Sequence, residues 1–341
     1  MGAEQTRAAR LALPARWWLA GTVLLTLLPV VVAVALAPPE GTHPGPGLVW
    51  LLFVGSSAHV GATAWFYTVA EVRGHMRCHP VRYVWAPLLL LVLTAGAVLT
   101  APSRLLVDAL LAFFAWQFFH FQKQNLGIAA LAARALGVPS LTRAERLALV
   151  WAGCGGIVAL IARPALLQLS PDLDLRSLFA VGAAIFAAAA VIGGYSISRR
   201  QPAARPGAFV VVYSASLLFF APVFVFGSPY AAVAGITMAH GLQYLLLVGL
   251  LAGAPSGSSP SPPIGVLLMV NIALIAGLGL NQASHLHSAQ GIARAVYGAY
   301  LGLVMAHFVI DAGLWRLRDE FPRSFLTRRL PYLLADSTAG P

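Results

Sequence analysis

The feature that most constrains the fold is a succession of about ten apolar stretches, each about 20 residues long, that fills nearly the whole chain. A helix of about 20 residues rises about 30 Å, the thickness of the hydrocarbon core of a bilayer. Inside lipid, only helices and closed barrels satisfy their own backbone hydrogen bonds. We therefore expect an all-α fold class, a polytopic bundle of about ten transmembrane helices forming a single domain. The expected helices lie near residues 17–37, 47–71, 84–101, 105–135, 147–166, 177–196, 208–227, 230–253, 264–280 and 292–315.

The composition supports a membrane protein without a separate soluble domain. Apolar residues make up 59% of the 341-residue chain and charged residues only 10%, whereas soluble domains are about a quarter charged. The two cysteines, Cys78 and Cys154, are too few for a disulfide framework.

The net charge of +11 is distributed according to topology. Most arginines fall at the termini and in alternate loops, while the opposite loops hold only Arg104, Arg163, Arg176 and Arg294. This bias predicts cytoplasmic termini, a basic tail over residues 316–341 on the inner surface, and a multi-pass protein of the cell membrane. We therefore expect the lipid bilayer as the partner of these basic segments, and no motif indicates binding to nucleic acid. We expect the first helix to be retained, although Ala35-Leu36-Ala37 also fits a signal-peptidase site.

One stretch, WQFFHFQKQNLG at 116–127, places strongly polar side chains at membrane depth. They include His120, Lys123 and Gln124. Such groups cost about 2.5–3.5 kcal/mol in lipid, so they usually face a protein interior or a wet cavity and serve a function.

Histidines recur on four of the five even-numbered expected helices, whereas the odd-numbered helices are nearly pure hydrocarbon. The sequence also predicts that all ten helices are continuous. The four are His59, His120, His240 and His307. At about 1.5 Å per residue they fall between the midplane and the inner face, so we expect one shared cavity there.

Each histidine has polar neighbours at helical spacing, where residues three or four apart share a face. His307 and Asp311 are four residues apart, and His240 precedes Tyr244 by four. A stripe at the same spacing descends helix 2 towards two loop histidines; its members are His59, Thr63, Tyr67 and Glu71, followed by His75 and His79.

Imidazoles with one or two carboxylates suit iron and can leave positions open for oxygen. We therefore predict an iron site of one or two ions, with haem as the alternative cofactor. The expected metal ligands are His59, His75, His79, His120, His240, His307 and Asp311. Lys123, Gln124 and Tyr244 are expected to act catalytically by positioning oxygen or substrate.

Simpler interpretations stand beside these. A single intramembrane histidine is more often a hydrogen-bonded core residue than a ligand, and His75 and His79 also fit an interfacial position. Lys123 also fits a side chain that extends to the membrane surface. His43, His285 and His287 fall in external loops, where we expect solvated side chains.

Three segments, WQFFHFQKQNLG, HGLQY and HFVIDAGLWRLRD, resemble the small multi-spanning proteins of the enediyne polyketide biosynthetic cassette. The resemblance implies oxidation of a released hydrophobic polyene or acyl substrate, with an electron donor or a polyketide-pathway protein as partner. In ligand type the chain is also similar to histidine-cluster di-iron desaturases and hydroxylases, and His75-x3-His79 matches their HxxxH element. It lacks their HxxHH boxes.

The sequence leaves several functions open. The first is a membrane metalloenzyme that oxidises a lipid-like chain. The second is a haem or quinone electron-transfer subunit, since two histidines on facing helices can ligate haem. The third is a proton-coupled transporter, which predicts broken helices or repeats at its site. A structural partner of a synthase is the fourth.

Overall fold

The structure, a computed structural model, describes residues 2–39, 42–171, 174–255 and 261–334, with only the backbone described for residues 2–12. Within these ranges it is helical and contains no strand, which confirms the expected all-α class. The helices are α1 (Gly2–Ala35), α2 (Pro46–Thr68), α3 (Ala70–Cys78), α4 (Val81–Thr100), α5 (Ser103–Ala135), α6 (Arg143–Ile161), α7 (Leu178–Ser198), α8 (Gly207–Leu217), α9 (Ala221–Val225), α10 (Tyr230–Ala252), α11 (Pro262–Ser284), α12 (Ile292–Leu314), α13 (Glu320–Arg329) and α14 (Pro331–Leu334).

Nine helices in the described part of the chain are long and apolar enough to cross a membrane. They are α1, α2, α4 to α7 and α10 to α12, so the chain is a multi-pass membrane protein. Their bounds agree with the expected ones within a few residues, except that α1 begins well before residue 17. The expected cytoplasmic position of both termini stays a prediction, and residues 335–341 of the expected tail lie outside the described residues.

The segment expected as a helix over 208–227 is divided into α8 and α9 instead. Pro222 explains the break. It has no N–H to donate to the carbonyl of Leu218, and its ring would clash with that carbonyl in a continuous helix. The expectation that all helices are continuous is therefore wrong here.

The chain divides into two compact units, and each is described by itself. The first unit comprises residues 1–45, 111–243 and 326–341. In it α6 and α7 approach closely where Gly155 faces Gly182: a Cβ on Gly155 would lie 2.8 Å from the Gly182 carbonyl oxygen. Small residues at such a helix contact are typical of membrane helix pairs. Elsewhere in this unit, buried aromatic rings, including Phe118, Phe121 and Phe220, form the apolar core.

The second unit comprises residues 46–110 and 244–325. In this unit α12 packs against α4 through Gly298 and Gly302, which are four residues apart. A Cβ on Gly302 would lie 2.6 Å from Cα of Leu91, so only glycine permits this approach. The contact sets the rotation of α12 about its own axis, and so the side on which His307 and Asp311 lie, about one and a half to two and a half turns further on.

Helix α2 in the second unit is irregular where its functional side chains lie. It contains a π-helical turn (Val54–Ala58), one α-helical turn (His59–Ala62) and a 3₁₀ stretch (Thr63–Thr68) before an extended Val69. Single π turns inside α-helices occur frequently at functional sites. The π-helical turn therefore ends directly before His59, and the 3₁₀ stretch begins four residues after it.

Candidate metal centre

A buried polar cluster in the second unit is built on two side chains of α12. His307 and Asp311 are one helical turn apart, and both are buried. His307 Nε2 lies 3.7 Å from Asp311 Oδ2. Two ligand atoms at this separation can share one metal ion, because bonds of about 2.1 Å from each would meet between them.

Helix α2 adds a second imidazole to the cluster. His59 is 3% exposed, and its ring centre lies 5.2 Å from that of His307, with the planes at 76°. One ring nitrogen of each histidine comes within 4.8 Å of the other. In the second unit His307 thus lies close to a second imidazole, that of His59, and to the carboxylate of Asp311, and all three side chains are buried.

A chain of hydrogen bonds supports the cluster. Tyr244, on α10, donates its hydroxyl proton to Asp311 Oδ1 at 3.1 Å. Its oxygen must then accept the proton of Thr63 Oγ1, which lies 2.9 Å away. Having given that proton, Thr63 must accept from His307 Nδ1, at 2.6 Å. In this order His307 donates through Nδ1, and this is the tautomer in which Nε2 keeps the lone pair that a metal ligand requires.

The first unit holds a second histidine pair. The ring centres of His120 and His240 are 5.1 Å apart, and Phe121 stacks on His240 at 3.9 Å. His240 is fully buried and His120 is half-buried.

Polar side chains of the first unit connect this pair to α1. Gln124 Nε2 donates to the carbonyl of His240 and to Gln243 Oε1, both at 2.9 Å. Gln243 in turn donates to Thr26 Oγ1 at 2.6 Å, and Thr26 donates to the Thr22 carbonyl. Gln124 thus holds the backbone next to His240, while its predicted catalytic role stays a prediction.

The remaining predicted site residues lie apart from these chains of hydrogen bonds. Lys123 is exposed, and both its catalytic role and its extension to the membrane surface stay predictions. His75 lies on α3, and His79 is the first residue after that helix; the centres of the two rings are 4.4 Å apart. His75 also stacks on Phe321 at 4.1 Å, and its Nε2 lies 3.3 Å from the Tyr83 hydroxyl.

His75 lies outside the membrane-spanning segments and has a perturbed pKa. Burial lowers the pKa of His75, the neighbouring charges of His79 and Arg82 lower it further, and Asp319 opposes them. A neutral imidazole is the form that binds metal. The predicted ligand role of both histidines stays a prediction.

Sequence reasoning missed the contribution of α1. The odd-numbered helices were expected to be nearly pure hydrocarbon, yet Thr22 and Thr26 are buried and form part of the polar network. Their spacing of four residues was the available signal, because it places both hydroxyls on one face. The expectation that all four histidines share one cavity stays a prediction.

The chain matches no protein-family model, no curated protein and no solved structure. The resemblance to the enediyne cassette proteins stays a prediction. The iron, the haem alternative and the partner proteins stay predictions as well.

Proposed function

We propose that the chain is a membrane-embedded, metal-dependent oxidoreductase of the cell membrane that oxidises a hydrophobic chain. The observation that carries the proposal is the buried group of His59, His307 and Asp311, with the hydrogen-bond chain that presents Nε2 of His307. Two imidazoles and one carboxylate are the ligand set of non-haem iron oxygenases, in which the remaining positions stay open. When bound, iron would supply oxygen activation.

The chain's own residues would position the ligands and exclude water. Thr63 and Tyr244 fix the ring of His307 and one oxygen of Asp311, so that neither ligand has to reorganise on binding. Tyr244 is 2% exposed and the three ligands are 2–3% exposed, so bulk water is kept from the centre. A site buried among membrane helices favours a substrate that partitions into the bilayer, such as a polyene or acyl chain.

The proposed reactions need electrons from outside the protein. Desaturation takes two electrons and two protons from a CH₂–CH₂ unit, and reduction of O₂ to two waters takes four of each. Hydroxylation inserts one oxygen atom into a C–H bond and releases the other as water. Both reactions need two further electrons and two protons, so an external electron donor is part of the proposal.

The spacing of the rings favours a non-haem site over haem. Two imidazoles on one haem iron need ring centres roughly 6 Å apart, from two bonds of about 2 Å plus the ring radii, with the porphyrin lying between them. The pairs lie at 5.1 Å and 5.2 Å, and Phe121 already stacks on His240.

Metal binding by the purified protein tests the proposal. Full-length protein in detergent is loaded anaerobically with Fe(II), desalted and analysed for iron. All variants carry His285→Gln and His287→Gln, which remove two exposed loop histidines as competing surface ligands. We expect about one iron per chain, lost in His307→Gln and retained when His43, an exposed histidine, is changed to Gln. Absence of bound iron in the parent, or equal retention in His307→Gln, would refute the proposal.

A second candidate, a proton-coupled transporter, is favoured by two specific observations. Asp311, Tyr244, Thr63 and His307 form a continuous hydrogen-bonded series, as proton relays do. Helix α2 is also irregular at the site, as transporter helices often are. Proton flux into liposomes that stops in Asp311→Asn, from protein that binds no iron, would select this function over the oxidoreductase.

A further inference from the structure

A cavity of about 500 Å³ in the first unit combines two arginines with a wall of phenylalanines. Arg163 and Arg176 line it together with Phe179, Phe224 and Phe226. None of the residues discussed above for metal or proton chemistry lines it. It is large enough for a phosphate-sized anion and part of an apolar chain, since small-molecule sites occupy about 300–1,000 Å³.

The Arg163 side chain, which lines this cavity, is held in place by two contacts. Its Nη1 donates to the carbonyl of Val223 at 3.1 Å, and its Cζ lies 5.4 Å from the centre of the Phe179 ring. The ring of Phe224 lies 5.8 Å from that of Phe179 and continues the apolar surface. A guanidinium held in this way can direct its remaining N–H groups towards an anion without losing further freedom on binding.

Among the described residues, the lining of the cavity has two positive side chains and no negative one. Its charged side chains are the two arginines, and within the described ranges neither guanidinium forms an ion pair. The nearby Asp174 accepts from the backbone N–H of Arg176 at 3.1 Å. Two guanidinium groups in one cavity suit a phosphate, which accepts several N–H groups at once.

The position of the cavity in the fold indicates where such an anion would come from. It lies where α6 ends at Ile161 and α7 begins at Leu178, beside the short α9. The ends of spanning helices lie at the depth of the lipid headgroups. An anion there with an attached hydrocarbon chain would meet both the arginines and the phenylalanines.

We propose that this cavity binds the phosphate headgroup of an anionic membrane lipid. Arg163 and Arg176 hold the phosphate, and Phe179 and Phe224 contact the first segment of the acyl chain. The proposal is independent of the metal centre, because it rests on other residues.

The test measures lipid binding to full-length protein in detergent. Dioleoylphosphatidylglycerol, dioleoylphosphatidylcholine and inorganic phosphate are added in separate titrations, and bound lipid is counted by native mass spectrometry beside the melting temperature. We expect phosphatidylglycerol to bind and to raise the melting temperature more than phosphatidylcholine does. Arg163→Gln/Arg176→Gln should weaken its apparent affinity about tenfold or more, since hydrogen bonds to charged groups are lost.

Two variants keep the result interpretable. Arg199→Gln/Arg205→Gln removes the same charge from two exposed arginines beyond the other end of α7 and should bind like the parent. Arg176→Gln alone changes an exposed side chain, so it preserves the Arg163–Val223 contact and should still weaken binding. Equal weakening in the control pair, or no weakening in Arg176→Gln and the double variant, overturns the proposal. Protection by inorganic phosphate that matches that by phosphatidylglycerol overturns the lipid assignment in favour of a free anion.

Discussion

Changing Thr63 to Val tests whether the hydrogen-bond chain prepares His307 for metal. Valine keeps nearly the same shape but removes the hydroxyl that lies 2.6 Å from His307 Nδ1 and 2.9 Å from the Tyr244 hydroxyl. The buried Nδ1–H group would then lose this acceptor. The ring could also adopt the other tautomer, in which Nε2 carries the proton and no longer offers a lone pair.

The magnitude can be estimated in two ways. A buried donor left without its acceptor costs about 1–3 kcal/mol. Loss of a group that orients a ligating histidine lowers metal affinity about 10–100-fold, which is about 1.4–2.8 kcal/mol. The first cost lowers the stability of the folded protein, whereas the second applies to binding, so we expect Thr63→Val to weaken metal binding by one to two orders of magnitude.

The assay is a competition titration of the purified protein with Co(II) against a chelator, followed by the visible absorption of bound cobalt. Thr63→Ser keeps the hydroxyl and should restore most of the affinity. Thr68→Val is the matched control, because the Thr68 hydroxyl lies on the same helix and donates only locally, to the Trp65 carbonyl. Unchanged affinity in Thr63→Val, or equal losses in Thr63→Val and Thr68→Val, would refute the reasoning.

Two further predictions concern stability. Glu145→Gln should destabilise the first unit by about 3 kcal/mol, because Arg200 would stay largely buried without its carboxylate partner at 2.6 Å; unfolding in a denaturing detergent measures this, and a loss below 1 kcal/mol would contradict it. His75 has a pKa lowered from 6.5 by burial and then by His79. The unfolded chain therefore takes up this proton first, and stability should fall as pH drops through about 6.5 towards the lowered value. Melting temperatures at pH 8 and 5.5 should differ less in His75→Gln than in the parent or in His43→Gln; equal differences would exclude His75 as the cause.

Much of the fold could be predicted because lipid leaves a chain few options. An apolar stretch such as 292–315 has to be a helix in a membrane, and its observed bounds, Ile292–Leu314, differ by one residue. The division of the 208–227 segment could have been anticipated from Pro222, which removes one backbone donor. It was missed because hydropathy reports only average polarity and not backbone hydrogen bonding.

The candidate site could be predicted only within single helices. Spacing along α12 correctly placed Asp311 one turn from His307, because residues four apart share a helix face. The contact of His307 with Thr63, 244 positions earlier, depends on how two helices pack, and no periodic pattern encodes that. The tautomer of His307 depends on the same packing, through the hydroxyl of Tyr244.

The geometry of α2 shows why the predicted stripe from His59 to Glu71 ends early. In an α-helix, four residues rotate a side chain by about 40° beyond a full turn, whereas in a 3₁₀ helix they rotate it by about 120°. His59 and Thr63 are separated by an α-helical turn, so Thr63 stays close to the face of His59 and reaches His307. Tyr67 follows a 3₁₀ stretch, and its hydroxyl instead donates to the Tyr83 carbonyl at 2.7 Å. The change of helix type therefore confines the buried polar group to two residues of α2 and turns the rest of the stripe away from it.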